Sequence, residues 1–130
     1  MRGSLRLVIA LAAFALGAAG AAAAVLNTSA RPDGYRVRVA VTPNRSTVLN
    51  TAAVVITRNG RVVTAARVRL TATMLDMPMP GVTWRLRYRA GRYTYRSTVL
   101  GMAGRWRLRV SVDPPHGASF SVAVVDRVGS

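Results

Sequence analysis

The sequence predicts an all-β domain: a seven-stranded antiparallel sandwich of the immunoglobulin-like type, preceded by an N-terminal hydrophobic helix. Three observations carry this expectation. Beyond residue 34, apolar and polar residues alternate with period two in run after run, as strands with one buried and one solvated face require. Turn-forming residues separate the runs at short intervals, the spacing of an all-β sandwich. No stretch in that region has helical periodicity of useful length.

The elements follow in order. Arg2 and Arg6 precede an uncharged run, residues 7–26, half of which is Ala. Its length suffices to cross a bilayer as a helix. The "AAA" at residues 22–24 also suits a small-residue cleavage site behind a basic start. Residues 1–26 therefore read as a signal peptide or an N-terminal membrane anchor. Both readings put the rest of the chain outside the cytoplasm. No Cys follows the run, which excludes a lipoprotein anchor. Residues 27–34, "NTSARPDG", read as a turn-rich linker, residues 35–126 as the sandwich and residues 127–130 as a tail.

Within the sandwich, Tyr35, Val37, Val39 and Val41 share one parity against Arg36 and Arg38. Val68, Leu70, Ala72 and Met74 alternate with Arg67 and Arg69 in the same way. Trp84, Leu86 and Tyr88 alternate with Arg85, Arg87 and Arg89, and Trp106, Leu108, Val110 and Val112 with Arg105, Arg107 and Arg109. "PNRS", "RNGR", "AG", "GMAG" and "DPPHG" punctuate these runs. Asn59-Gly60 is the strongest hairpin signal, because both central residues of a type I′ turn need positive φ. The seven expected strands span residues 35–42, 51–58, 62–74, 83–89, 92–99, 105–112 and 119–126. Trp84, Trp106 and Phe120 are expected to fill much of the core.

Composition narrows the function. The chain has no Cys, so disulfides, thiolate metal sites and cysteine nucleophiles are excluded. It also has no Lys and no Glu; its formal net charge of +15 comes from Arg against four Asp. Such a surface repels itself and attracts polyanions, an attraction that salt screens. Twelve arginines fall on outward strand parity, where guanidinium groups can meet phosphates or simply remain solvated. Export directs this charge to envelope surfaces, and no nucleic-acid partner is expected.

Four methionines are the candidate soft-metal ligands. Met74, Met77 and Met79 crowd into "TMLDMPMPG", and Met102 sits in "GMAGRW". Thioether sulfur is a neutral, soft donor suited to Cu(I), the one candidate cofactor. Met77 and Met79 each precede a Pro, which favours extended or polyproline backbone. If extended, their side chains share one side, about 6.6 Å apart along the strand. The competing reading makes the methionines adaptable filler at the end of the core. His116, the only imidazole, lies in the turn "DPPHG" three residues after Asp113. It reads as solvated rather than as a metal ligand or a relay for a serine. Hydrolysis needs a positioned nucleophile and an oxyanion hole, and no motif here marks them, so no catalytic residue is assigned.

The hairpin Gly60, the stretch "TAARVRL" at residues 64–70, the methionine segment, "GRY" at residues 91–93 and "MAGRWRLRV" at residues 102–110 together resemble the YtkA-like family. The resemblance covers residues 35–125 and is strongest over 60–112. It implies an immunoglobulin-like sandwich outside the membrane and a link to copper or other metal handling. Relatives often carry a histidine in or just after the methionine segment. This chain has none there, and Pro78 and Pro80 interrupt the segment. Two classes of non-enzymatic function follow. One is a copper-handling accessory that binds Cu(I). The other is an interaction module that docks on a membrane protein partner or an anionic envelope surface.

Overall fold

A computed structural model of the chain describes residues 24–30 and 33–130. Ten strands run through these residues: β1 (Ala24–Ala30), β2 (Tyr35–Thr42), β3 (Asn50–Arg58), β4 (Arg61–Val62), β5 (Arg67–Met74), β6 (Val82–Arg85), β7 (Arg87–Arg89), β8 (Arg92–Ser97), β9 (Gly104–Asp113) and β10 (Phe120–Val128). They form two antiparallel sheets, ordered β1-β2-β3-β8-β7 with β4 beside β3, and β10-β9-β5-β6. Among the described residues there is no helix, hence none long and apolar enough to cross a membrane. The expected N-terminal helix, and with it most of the anchor or signal segment, lies outside the described residues.

Nine strands of three or more residues and one two-residue arm replace the expected seven, for local reasons. Residues 24–30 pair with β2 from Ala24↔Val41 to Ala30↔Arg36, so residues 27–30 are strand where a linker was expected. The run expected at 62–74 breaks into β4 and β5. Its residues 63–66 leave the sheet and are held by Tyr93, whose hydroxyl donates to the Val63 carbonyl at 2.7 Å and accepts from the Ala66 amide at 3.1 Å. The run expected at 83–89 divides at Leu86: β6 pairs with β5, while β7 pairs with β8 in the other sheet. β10 extends to Val128, so Arg127 and Val128 are strand rather than tail.

The period-two arithmetic holds where it was clearest. β2 buries Tyr35, Val37, Val39 and Val41 and exposes Arg36 and Arg38. β9 buries Trp106, Leu108, Val110 and Val112 between exposed arginines. The two inward rows meet with Val54, Ile56, Val68 and Leu70 in one core. Asn59 and Gly60 have φ of 49° and 81°, as a type I′ turn demands. Trp106 closes one end of the core, 4% exposed, and its indole N–H donates to the Met102 carbonyl at 3.0 Å.

Two polar side chains are buried beside that end. Asn50 accepts from the Asn44 and Arg45 amides at 2.8 and 3.2 Å and donates to the Arg45 carbonyl at 2.9 Å. It thereby shapes the loop before β3. Asp126, on the inward parity of β10, is fully buried. Its Oδ1 accepts from Asn44 Nδ2 at 2.7 Å. Its Oδ2 and Asn44 Oδ1 are buried without a partner, so neither oxygen has a donor. Desolvation pushes the Asp126 carboxyl above its ordinary range, against the opposing pull of the Asn44 amide and the Arg127 backbone.

Two outcomes follow for unfolding in urea. Trp106→Ala is expected to cost about 3–5 kcal/mol, as large core truncations do. Asp126 holds its proton to higher pH when folded than when unfolded. Its stability term is therefore full below the unfolded carboxyl's pKa and is lost as pH rises towards the folded value. Asp126→Asn provides a permanent N–H donor. It should flatten that decline and raise stability at neutral pH by about 1–3 kcal/mol, the usual cost of an unsatisfied buried polar group. Equal slopes for the variant and the native chain would assign the pH dependence elsewhere.

Candidate functional site

The four methionines separate into two kinds. Met74 ends β5 opposite Trp106 in register and is 5% exposed, part of the core. Met102 is half-buried and packs against the same core from the loop before β9. Met77 and Met79 are 50% and 42% exposed. They belong to the loop joining β5 and β6, whose residues 75–78 form a turn. Met77 is thus not in the extended backbone that would align it with Met79 as on a strand. The arrangement brings the two methionine-bearing loops side by side: the Leu75 amide donates to the Arg105 carbonyl at 2.9 Å.

A second contact fixes this pair of loops. Asp76 accepts from the Arg105 amide at 2.7 Å, from Nε at 2.9 Å and from Nη2 at 2.7 Å. Both guanidinium N–H groups converge on Oδ1 while the backbone amide takes Oδ2, so charge-assisted bonds hold both carboxylate oxygens. The Arg105 backbone N–H, then its side chain, hold the Asp76 carboxyl below its ordinary range. Gly104 makes the approach possible. Its φ is +135°, and a Cβ there would stand 2.7 Å from Asp76 Oδ2 and 2.8 Å from Met74 Cε. The sequence reading missed this brace. Its signal was an Asp inside the methionine segment of a chain with only four acids.

The remaining candidates lie apart. β9 runs from Gly104 beside the methionine loops to Asp113 at the other end of the sandwich. There Ser119 Oγ donates to Asp113 Oδ1 at 2.8 Å, and the Tyr35 hydroxyl donates to the His116 carbonyl at 3.2 Å. His116 is exposed, and its loop is remote from the methionines. No group of three or more His, Cys, Asp or Glu that could hold a metal occurs among the described residues.

Arginines crowd both outer faces, and the register sets some directly against one another. Arg58 opposes Arg61, Arg69 opposes Arg85, Arg89 opposes Arg92 and Arg105 opposes Arg127. Like charges in such pairs are destabilising. One concavity also escaped the sequence reading. Where the chain changes sheets, Trp84 and Tyr95 stack with centroids 5.5 Å apart and planes at 25°. They line a groove of about 820 Å³ together with Arg85, Arg87, Arg89 and Arg96. Its rings come from different sheets, so no single run of sequence displays it.

Comparison with known proteins adds one positive finding. The model of a family described as YtkA-like matches residues 29–111. No curated protein and no solved structure matches the chain.

The brace between the loops predicts two measurable effects. Gly104→Ala should lower stability and expose the Arg105 amide to hydrogen exchange, because the added methyl displaces Asp76. The depressed Asp76 carboxyl contributes stability above the unfolded pKa and loses it as pH falls through the folded value. The Arg105 amide resonance should accordingly titrate with a midpoint below the ordinary carboxylate value of 3.8. A midpoint at or above it would deny the brace.

Proposed function

The chain belongs to the YtkA-like family, and from that premise we propose that it is a non-enzymatic, extracytoplasmic, immunoglobulin-like module that handles Cu(I) through exposed thioethers. The strand order supports the immunoglobulin-like assignment. β2-β3-β8-β7 and β5-β9-β10 follow the A-B-E-D and C-F-G orders of that sandwich. The observation that carries the copper reading is the exposure of Met77 and Met79 on a braced loop. Two thioethers left half exposed gain little from packing, whereas neutral sulfur suits Cu(I) and disfavours Zn(II) and Mg(II). Met102, on the adjoining loop, is the third donor. Met74 is committed to the core opposite Trp106 and supports the loop from beneath.

A second reading is favoured by the opposed arginines. An interaction module that docks on an anionic envelope surface or a membrane partner gains from bringing anions to the four like-charge pairs.

The test of the copper reading is a titration of the full chain with Ag(I), a redox-inert mimic of Cu(I), read from the methionine methyl resonances. The Met77 and Met79 methyls should move, and a Met77→Leu/Met79→Leu variant should lose binding while keeping its fold, since the volume is conserved. Thioethers bind no proton near neutrality, so affinity should persist at about pH 5. Affinity should rise with ionic strength as the net charge of +15 is screened. Methyls that do not move, or a variant that binds as the native chain does, would reduce the segment to a loop.

A further inference from the structure

We infer that the groove at the sheet switch binds a strand of acidic polysaccharide, with sugar rings on the Trp84–Tyr95 stack and carboxylates on the surrounding arginines. The inference rests on the second reading above and gives it a place and a ligand class. Leu86, 5% exposed, carries the chain from one sheet to the other. The edges of β6 and β7 are left flanking a concavity. Arg85, Arg87, Arg89 and Arg96 line it and are exposed, and none of the chain's four Asp residues takes part. Charge complementarity therefore calls for an anion.

Charge alone does not account for the rings. Trp84 and Tyr95 are half-buried and line two spaces at once. One is a small apolar cavity between the sheets, bounded also by Leu70, Ala72 and Leu108; the other is the groove itself. The core holds one side of the stack and so fixes it, leaving the other side as a preformed platform. Such a platform accepts the apolar C–H face of a pyranose ring. Thr94 adds a hydroxyl for sugar oxygens; that of Thr83 is already paired with Thr71 Oγ1 at 2.8 Å. A bilayer is too flat to enter the concavity, and a simple polyelectrolyte offers no ring to the stack. The groove is open to solvent rather than enclosed, which suits an extended chain laid against it. Beyond β6, Arg69 stands opposite Arg85 and continues the basic track across the neighbouring strand.

Four probes at matched salt, the three anionic ones also at matched charge, test this on the full chain. Polygalacturonate carries rings and carboxylates, polyacrylate carboxylates alone, dextran rings alone, and vesicles of anionic phospholipid a charged flat surface. Polygalacturonate should bind about tenfold or more tighter than polyacrylate or the vesicles, with dextran weaker still, and its affinity should fall with salt. It should shield Trp84 from acrylamide quenching; Trp106 is buried and contributes little to that signal. Arg85→Gln/Arg87→Gln/Arg96→Gln should lose about tenfold or more. Arg36→Gln/Arg38→Gln/Arg109→Gln, with the same charge removed elsewhere, should lose far less. Trp84→Phe should weaken polygalacturonate and leave polyacrylate unchanged. Equal losses for the two arginine triples, or polyacrylate or vesicles binding as well as polygalacturonate, would overturn the groove while leaving a basic docking surface standing. Failure of the native chain to bind any polyanion would overturn both.

Discussion

The passage of the chain through Leu86 sets the architecture on which the rest depends. Its side chain is buried, and its amide donates to the Val68 carbonyl at 2.9 Å. That one backbone bond ties the crossing point to the start of β5, between a strand paired to one sheet and a strand paired to the other. Were residues 82–89 a single strand, one edge would be longer and the sandwich would stay open on that side. Dividing the run shortens both edges to four and three residues. Short, arginine-bearing edges resist pairing with another chain. The same division sets Trp84 and Tyr95 face to face, a contact that joins the sheets through aromatic stacking.

Against this stands the self-repulsion of the surface. Period-two alternation places valine and leucine inward and arginine outward on β2, β5 and β9, so the property that builds the core also concentrates the charge. Opposed arginines work against the ladders that carry them. The core outweighs them because each fully buried aliphatic side chain contributes about 1.5–3 kcal/mol, whereas repulsion between exposed charges is weakened by water and salt. Asp76 is the local exception. By taking up Arg105, it stabilises the corner where that residue faces Arg127.

Much of this was legible in the sequence. β2, β5 and β9 declared themselves through long alternation, and the Asn59-Gly60 turn through its demand for positive φ. Even Asp126 stood on inward parity in "SFSVAVVD". The divided runs were not legible, because alternation continues unbroken from Trp84 to Tyr88 while the hydrogen-bond partner changes. Only the partner strand decides which sheet a residue joins. β1 was hidden by its composition: the end of the apolar run and the start of a polar, turn-rich stretch together pair with β2 through backbone groups that carry no side-chain signature. Of the candidate site, the crowding of thioethers was visible, and so was the inward parity of Met74, but not the exposure of Met77 and Met79. Met74 and Met77 lie three residues apart, and the turn between them moves one inward and the other out. The groove could not be found from sequence at all, since its rings come from runs paired in different sheets.

The exclusive use of arginine has a chemical corollary. A guanidinium keeps its charge at any pH at which this fold would survive. Acetylation, the common means of erasing surface charge, needs a lysine side chain, and there is none. The basic exterior is therefore a constant of the molecule. Protons act on the interior, through Asp126, and on the loop brace, through Asp76, while the outer faces stay fully cationic. What adjusts the exterior is the medium: dissolved ions, or a multivalent anion laid against the facing guanidinium groups.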